Sequence, residues 1–129
     1  MFGGYLMREA FDISFATACL QNPRGYVELA RVDQVLFLKP VPVGSVMDLR
    51  SRVTLIEEIE GLGKVMRVVT KGYNEHGVQT NNFNFLFRVA DPSFDRYIYP
   101  ETFNEILDYH EAKRRLQYER IILHQNEEI

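Results

Sequence analysis

The chain has 129 residues, enough for one domain that buries roughly two thirds of its unfolded surface. Its 15 basic and 18 acidic residues leave a net charge of -3, which excludes a general field for nucleic acid or an anionic membrane, so a partner must be drawn by a local site. One cysteine excludes an internal disulfide and suits a reducing compartment.

From Gly3 to Leu20 there is no proline, and no charge follows Asp12. The stretch predicts a helix of about 16 residues, roughly 24 Å long. Arg8 and Asp12 stand one turn apart and can pair. Beyond them Ile13 to Leu20 is apolar all round, which marks a helix buried on every side, because the run is well short of the roughly 20 residues a bilayer span needs. Cys19, on this helix, reads as a small core residue. No secretory signal or basic presequence precedes the helix. With only Met1 and Phe2 ahead of Gly3, a fold that has an upstream strand would appear here without it.

Gln21-Asn22-Pro23-Arg24-Gly25 signals a turn. A strand follows from Tyr26 to Leu38, with Val27, Leu29, Val35 and Phe37 on one parity. Arg31 and Asp33 interrupt it, so it is either bulged there or turned to a polar interface. Lys39-Pro40-Val41-Pro42-Val43-Gly44 closes it, since proline cannot donate to a ladder. Met47, Leu49, Ser51, Val53 and Leu55 alternate with Asp48, Arg50, Arg52 and Thr54, giving a strand with one wet face. Glu57 to Gly63 carries a turn, and Lys64 to Tyr73 is a β-branched third strand. Asn74-Glu75-His76-Gly77 is a hairpin connection, after which Val78 to Val89 puts Phe83, Phe85, Phe87 and Val89 on one parity. Asp91 and Pro92 end it. A second helix is expected from Pro100 to about Ile122, where Glu101, Glu105 and Glu111 precede Lys113, Arg114, Arg115 and Arg120 in the order the helix dipole favours.

These elements specify the α+β class: one domain over residues 1–129, an antiparallel sheet curled round a long buried N-terminal helix, and a helical tail from about residue 100. One sheet covers only one side of a helix, so a symmetric partner is expected to supply the rest.

Phe2-Gly3-Gly4-Tyr5-Leu6-Met7-Arg8, Ala16-Thr17-Ala18-Cys19, Val32-Asp33-Gln34-Val35 and Phe37-Leu38-Lys39-Pro40-Val41-Pro42-Val43-Gly44-Ser45 closely resemble hotdog-fold acyl-CoA thioesterases. They are most similar to the second hotdog repeat of the mitochondrial, tandem-repeat acyl-CoA thioesterase 9 subfamily. The resemblance continues through Thr80-Asn81, the alternating phenylalanines and Ala112-Lys113-Arg114-Arg115-Leu116. It implies a hotdog fold whose first strand is missing here, thioester hydrolysis without a cofactor, and acyl-CoA as substrate. It also implies sites between paired hotdogs, in a homodimer, a higher oligomer or a tandem repeat, and a mitochondrial location, with a cytoplasmic one as alternative.

Thioester hydrolysis needs charge stabilisation on the carbonyl oxygen, which free amides at a helix start provide. Gly3 and Gly4 suit that role, since they let a carbonyl approach closely; the alternative is a tight helix start that needs glycine torsions. Asp12 and Glu9 are the candidates on the helix for the carboxylate base or nucleophile. Many related hotdog thioesterases carry the helix aspartate at the position of Phe11, so Asp12 stands about 100° round the helix from it, and pairing with Arg8 is its other reading. The polar residue, often asparagine, that some relatives carry just ahead of the glycine pair has no counterpart.

For substrate binding, Asn81 is a candidate for the pantetheine arm or a partner loop, or else bonds its own backbone. Lys113, Arg114 and Arg115 are candidates for the coenzyme A phosphates, or else form a solvated helix end. Arg31 and Asp33 line the interface or pair with each other. His76, His110 and His124 have no cluster at ligand spacing, so no metal is expected. The aspartate and histidine pair of hydratases with this fold is not found. Two functions stay open: a catalytic hotdog, and a structural or acyl-CoA-binding half that needs a partner domain.

Overall fold

The computed structural model describes residues 3–22, 27–59, 63–90, 105–107 and 109–114. Helix α1 spans Gly3–Gln21, and four strands follow: β1 Val27–Phe37, β2 Asp48–Ile59, β3 Gly63–Tyr73 and β4 Gln79–Val89. They form one antiparallel sheet in the order β1-β4-β3-β2. β2, β3 and β4 pair in consecutive order as a meander, and β1 pairs with β4 on its far side. Of the expected second helix, residues 105–107 and 109–114 are helical, and its remaining positions lie outside the described residues.

On α1, one row spaced at i, i+4 is buried: Leu6, Ala10, Ser14 and Ala18. Three of the four are small, which brings the helix axis close to the sheet. The expectation that α1 is buried on every side does not hold within this chain, since Phe15 is 38% and Leu20 78% exposed. The reason is the one that called for a partner: a single four-stranded sheet touches one face of a helix and leaves the other bare.

Opposite that row the sheet presents Val53, Ile56, Met66, Val68, Phe83, Phe85, Phe87 and Val89, which form the main core with α1. Phe83, Phe85 and Phe87 are fully buried, each contributing about 1.5–3 kcal/mol of burial. Phe11 meets Phe85 edge-on at 5.9 Å between ring centroids. The outer face holds a smaller cluster of Leu55, Ile59, Val65 and Leu86, covered by Ala112 and Tyr109 of the C-terminal helical residues.

The strict alternation read into β2 breaks once. A register shift between Val53 and Leu55 inserts an extra residue, so Leu55 joins the outer cluster while Val53 and Ile56 face α1. The strand also runs on to Ile59, past the expected turn at Glu57. In β1 the expected irregularity is present, with shifts between Leu29 and Arg31 and between Val32 and Gln34. The hairpin at residues 74–77 forms as read: Asn74 Oδ1 accepts the amides of His76 and Val78, and Gly77 takes the left-handed φ of 75° that the reversal needs.

Candidate active site

Gly4 lies in the first turn of α1, is exposed, and has an ordinary helical φ. A Cβ placed there would meet no heavy atom within 4 Å outside the helix's own backbone. The alternative that glycine torsions are needed at this helix start therefore fails at Gly4. Glycine in a helix costs roughly 0.5–1 kcal/mol relative to alanine, and neither conformation nor crowding in this chain requires it. No acidic residue occupies the first turn, so the positive end of the helix dipole is not offset from within it.

Glu9 and Asp12 are both exposed. Since α1 is continuous, Glu9 stands about 7.5 Å and Asp12 about 12 Å along the axis from Gly4, at 1.5 Å per residue. The two carboxylates and the Gly3-Gly4 amides therefore share a helix without converging on one point. The expected Arg8–Asp12 pair is absent: among the described residues neither side chain forms an ion pair. Phe11 turns inward onto Phe85 and Phe87 and packs, partly buried, against the core.

Asn81, fully buried at the start of β4, accepts a 2.8 Å hydrogen bond from Thr80 Oγ1 at its Oδ1. Its Nδ2 has no partner among the described residues. The side chain thus does not bond its own backbone, as the alternative had it; the Asn81 carbonyl instead accepts from Gln79 Nε2. The neighbouring Thr80 carbonyl takes the amides of both Leu38 and Lys39, tying the Lys-Pro-Val-Pro loop to β4.

The C-terminal cations are engaged elsewhere. Lys113 Nζ is 3.8 Å from Glu57 and lies over the Tyr109 ring, and Arg114 pairs with Glu111. The pKa of Lys113 is raised, first by Tyr109 and then by Glu57. Both cations belong to the helical segment on the outer face, with the sheet between them and α1, which weakens their assignment to a ligand at the α1 start. Arg115 lies outside the described residues.

Three arrangements escaped the sequence reading. Asp33 pairs not with Arg31 but with Arg67, at 2.8 Å, across the intervening β4; the Arg67 side chain is fully buried. An arginine inside the run Val65-Met66-Arg67-Val68-Val69 was the signal for it. Ser14 Oγ bonds the Ala10 carbonyl at 2.6 Å and the Thr70 hydroxyl at 2.5 Å, and Thr70 bonds Ser51 at 2.9 Å, a hydroxyl chain from α1 through β3 to β2. Finally, Arg50, Arg52 and Lys71 gather on the outer face. Among the described residues no three His, Cys, Asp or Glu side chains cluster as metal ligands, and no helix is long and apolar enough to cross a membrane.

No family model matches the chain. Mitochondrial acyl-coenzyme A thioesterase 9 of Mus musculus is 33% identical over 118 residues, which are 91% of this chain and 26% of the mouse protein. The Homo sapiens protein of the same name is 32% identical over 115 residues, 88% of this chain and 25% of its own length. Acyl-coenzyme A thioesterase 10, mitochondrial, of Mus musculus is 33% identical over 118 residues. The chain thus spans about a quarter of the length of the curated relatives it matches. Among solved structures, a mutant acyl-CoA hydrolase from Staphylococcus aureus superposes with a TM-score of 0.83 at 23% identity, over 99% of this chain and 80% of that one. An apo hexameric acyl-CoA thioesterase gives 0.75 at 22% identity, over 95% and 81%. In fold the chain matches these two solved structures, a hotdog arrangement, and in sequence it is similar to about a quarter of the mitochondrial acyl-coenzyme A thioesterases 9 and 10.

Proposed function

We propose that this domain takes part in hydrolysing acyl-CoA thioesters to free acid and coenzyme A, in a site completed by a second hotdog domain. The observation that carries the reading is Gly4, a helical glycine that neither its own torsions nor its neighbours require. A thioester carbonyl resting on the first-turn amides supplies the missing reason. As water attacks the carbonyl carbon, the oxygen gains negative charge, which those amides and the helix dipole stabilise. A carboxylate removes the proton from the attacking water, and collapse of the intermediate expels the coenzyme A thiolate, which takes up a proton. No cofactor is needed. The 12 Å between Gly4 and Asp12 assigns the carboxylate to another hotdog, Asp12 or Glu9 of a second copy or an acidic residue of a tandem neighbour.

The bare side of the domain supports such pairing. Edge strand β1 exposes Leu29, Val32, Leu36 and Phe37, and α1 exposes Phe15 and Leu20. A long apolar edge strand left open is a site of association. A homodimer, a higher oligomer and a tandem repeat all provide the second hotdog, and the relatives support a mitochondrial location. Asn81 Nδ2 is assigned to the pantetheine arm or a partner loop, since a buried amide left unbonded costs about 1–3 kcal/mol.

Phe11 favours a second reading, in which this domain is the half that binds acyl-CoA while its partner brings the carboxylate. Thiol release from acyl-CoAs of several chain lengths, measured on this chain alone and on one extended upstream, separates the two. Turnover by the chain alone, lost in Asp12→Asn, supports a site built from two copies. Turnover only in the longer form, unchanged in Asp12→Asn, supports the half-site. Full activity from a species that light scattering shows to be monomeric refutes the composite site.

A further inference from the structure

The outer face of the sheet, away from α1, carries a crowded lysine that the hydrolytic reading does not use. Along β2, Arg50 and Arg52 alternate with Ser51; along β3, Lys71 and Tyr73 alternate with Thr70 and Gly72. Ser51 and Thr70 belong to the hydroxyl chain reaching α1, so the two arginines, the lysine and the tyrosine project from the other side. Arg50 stands directly opposite Lys71 in the register, and Arg52 is diagonal to it. Like charges directly across a ladder destabilise it, so a change that removes the ammonium charge here is favoured. The three cations border a cleft of about 400 Å³, which gives a small reagent access to Lys71.

We infer that Lys71 is a modification site, its Nζ taking a short acyl group from a thioester to form an amide. Neutral Nζ attacks the carbonyl carbon, the nitrogen gives up one proton to water, the carbon–sulfur bond breaks, and the thiolate that leaves takes up a proton. Burial, and then Arg52, hold the Lys71 pKa below its usual 10.5, so more of this amine is in the neutral, nucleophilic form than at an open lysine. As Nζ attacks, the carbonyl oxygen gains negative charge beside the N–H groups of Arg50 and Arg52, which stabilise it. Asp48 holds Arg50 by Nε and Nη2, at 3.0 and 2.9 Å, and its guanidinium lies over the Tyr73 ring at 5.1 Å, so the fork is pre-oriented beside the cleft. Glu105, 4.0 Å from Arg52, brings a further carboxylate from the C-terminal helical segment. On β4, Asn82 faces Lys71 in the register, and its buried Oδ1, without a partner among the described residues, can accept an Nζ–H and hold the amine. The product is an uncharged amide, so one of three like charges is gone.

The reaction needs no turnover by the domain and no carrier-specific contact, so it stands apart from the hydrolytic reading. The four lysines of the chain supply internal controls: Lys39 is exposed, and Lys113 has its pKa raised by Tyr109 and Glu57. The full chain is incubated with S-acetyl-N-acetylcysteamine, a thioester without a nucleotide, and acetylation of each lysine is followed by peptide mass spectrometry. Lys71 is expected to react several-fold faster than Lys39 at mildly alkaline pH, with Lys113 slowest, and its rate should level off at a lower pH than that of Lys39. Arg50→Gln/Arg52→Gln should slow Lys71 several-fold and leave Lys39 unchanged. A Lys71 rate no greater than that of Lys39, or one that the double variant leaves unaltered, overturns the inference. A chain made with acetyl-lysine at position 71 should melt higher than the parent, and a lower melting temperature would overturn the argument from relieved charge.

Discussion

Gly4→Ala separates what the fold needs from what the reaction needs. The new methyl group enters open space, and the backbone there already has helical torsions. Alanine is favoured over glycine in a helix by roughly 0.5–1 kcal/mol, so the variant should be as stable as the parent or more so. For a domain of this size that corresponds to a melting temperature higher by about 2–4 °C. Under the proposed function, the same methyl carbon crowds the approach of a thioester oxygen to the first-turn amides. Losing one oxyanion donor costs about 10²–10³ in kcat, and displacing the oxygen from the amides should cost a comparable factor. The assay pairs a thermal melt with thiol release in the active assembly. A variant that melts higher and turns over as fast as the parent would refute the assignment of Gly4 to the reacting carbonyl. One that melts several degrees lower would refute the claim that nothing in the fold requires glycine there.

Further outcomes follow from the buried polar groups. Asp33→Asn removes the Asp33 carboxylate from the buried Arg67 and should cost about 3 kcal/mol in denaturant unfolding, whereas Arg67→Met combined with Asp33→Leu should recover most of that loss; equal stability of the two variants would contradict it. Ser14→Ala and Thr70→Val each break the hydroxyl chain and should cost about 1 kcal/mol, with a double variant less destabilised than the sum because the second change removes a group already orphaned. Lys71→Met should be more stable than the parent near neutral pH, where the parent's charged ammonium is fully penalised by burial and by Arg52. As pH rises through the lowered folded-state pKa toward 10.5, the parent's lysine loses its proton and the gap should close; melts at several pH values whose difference does not narrow would count against it.

Patterns of period two and period 3.6, with their breaks, were enough to place α1, all four strands and the hairpin at Asn74, because side-chain alternation and turn chemistry are local properties. The bulge in β1 was legible for the same reason: Arg31 and Asp33 interrupt a run that could otherwise lie flat. The bulge in β2 was not, since Thr54 and Leu55 fit either face, and only the pairing with β3 decides which one each takes. The Gly3-Gly4 pair was legible only as a candidate site, and whether its torsions require glycine depended on the helix's actual conformation and on what packs beside it.

The sequence by itself determined the class of fold, the order of its elements and the likeness to the acyl-CoA thioesterases, all written in short-range spacing. Tertiary structure alone decided which charges meet. Asp33 finds Arg67 rather than Arg31, Asp12 finds no cation among the described residues, and Arg50, Arg52 and Lys71 are drawn together. Ion pairing depends on distances of a few ångströms between residues tens of positions apart, and strand order and register set those distances.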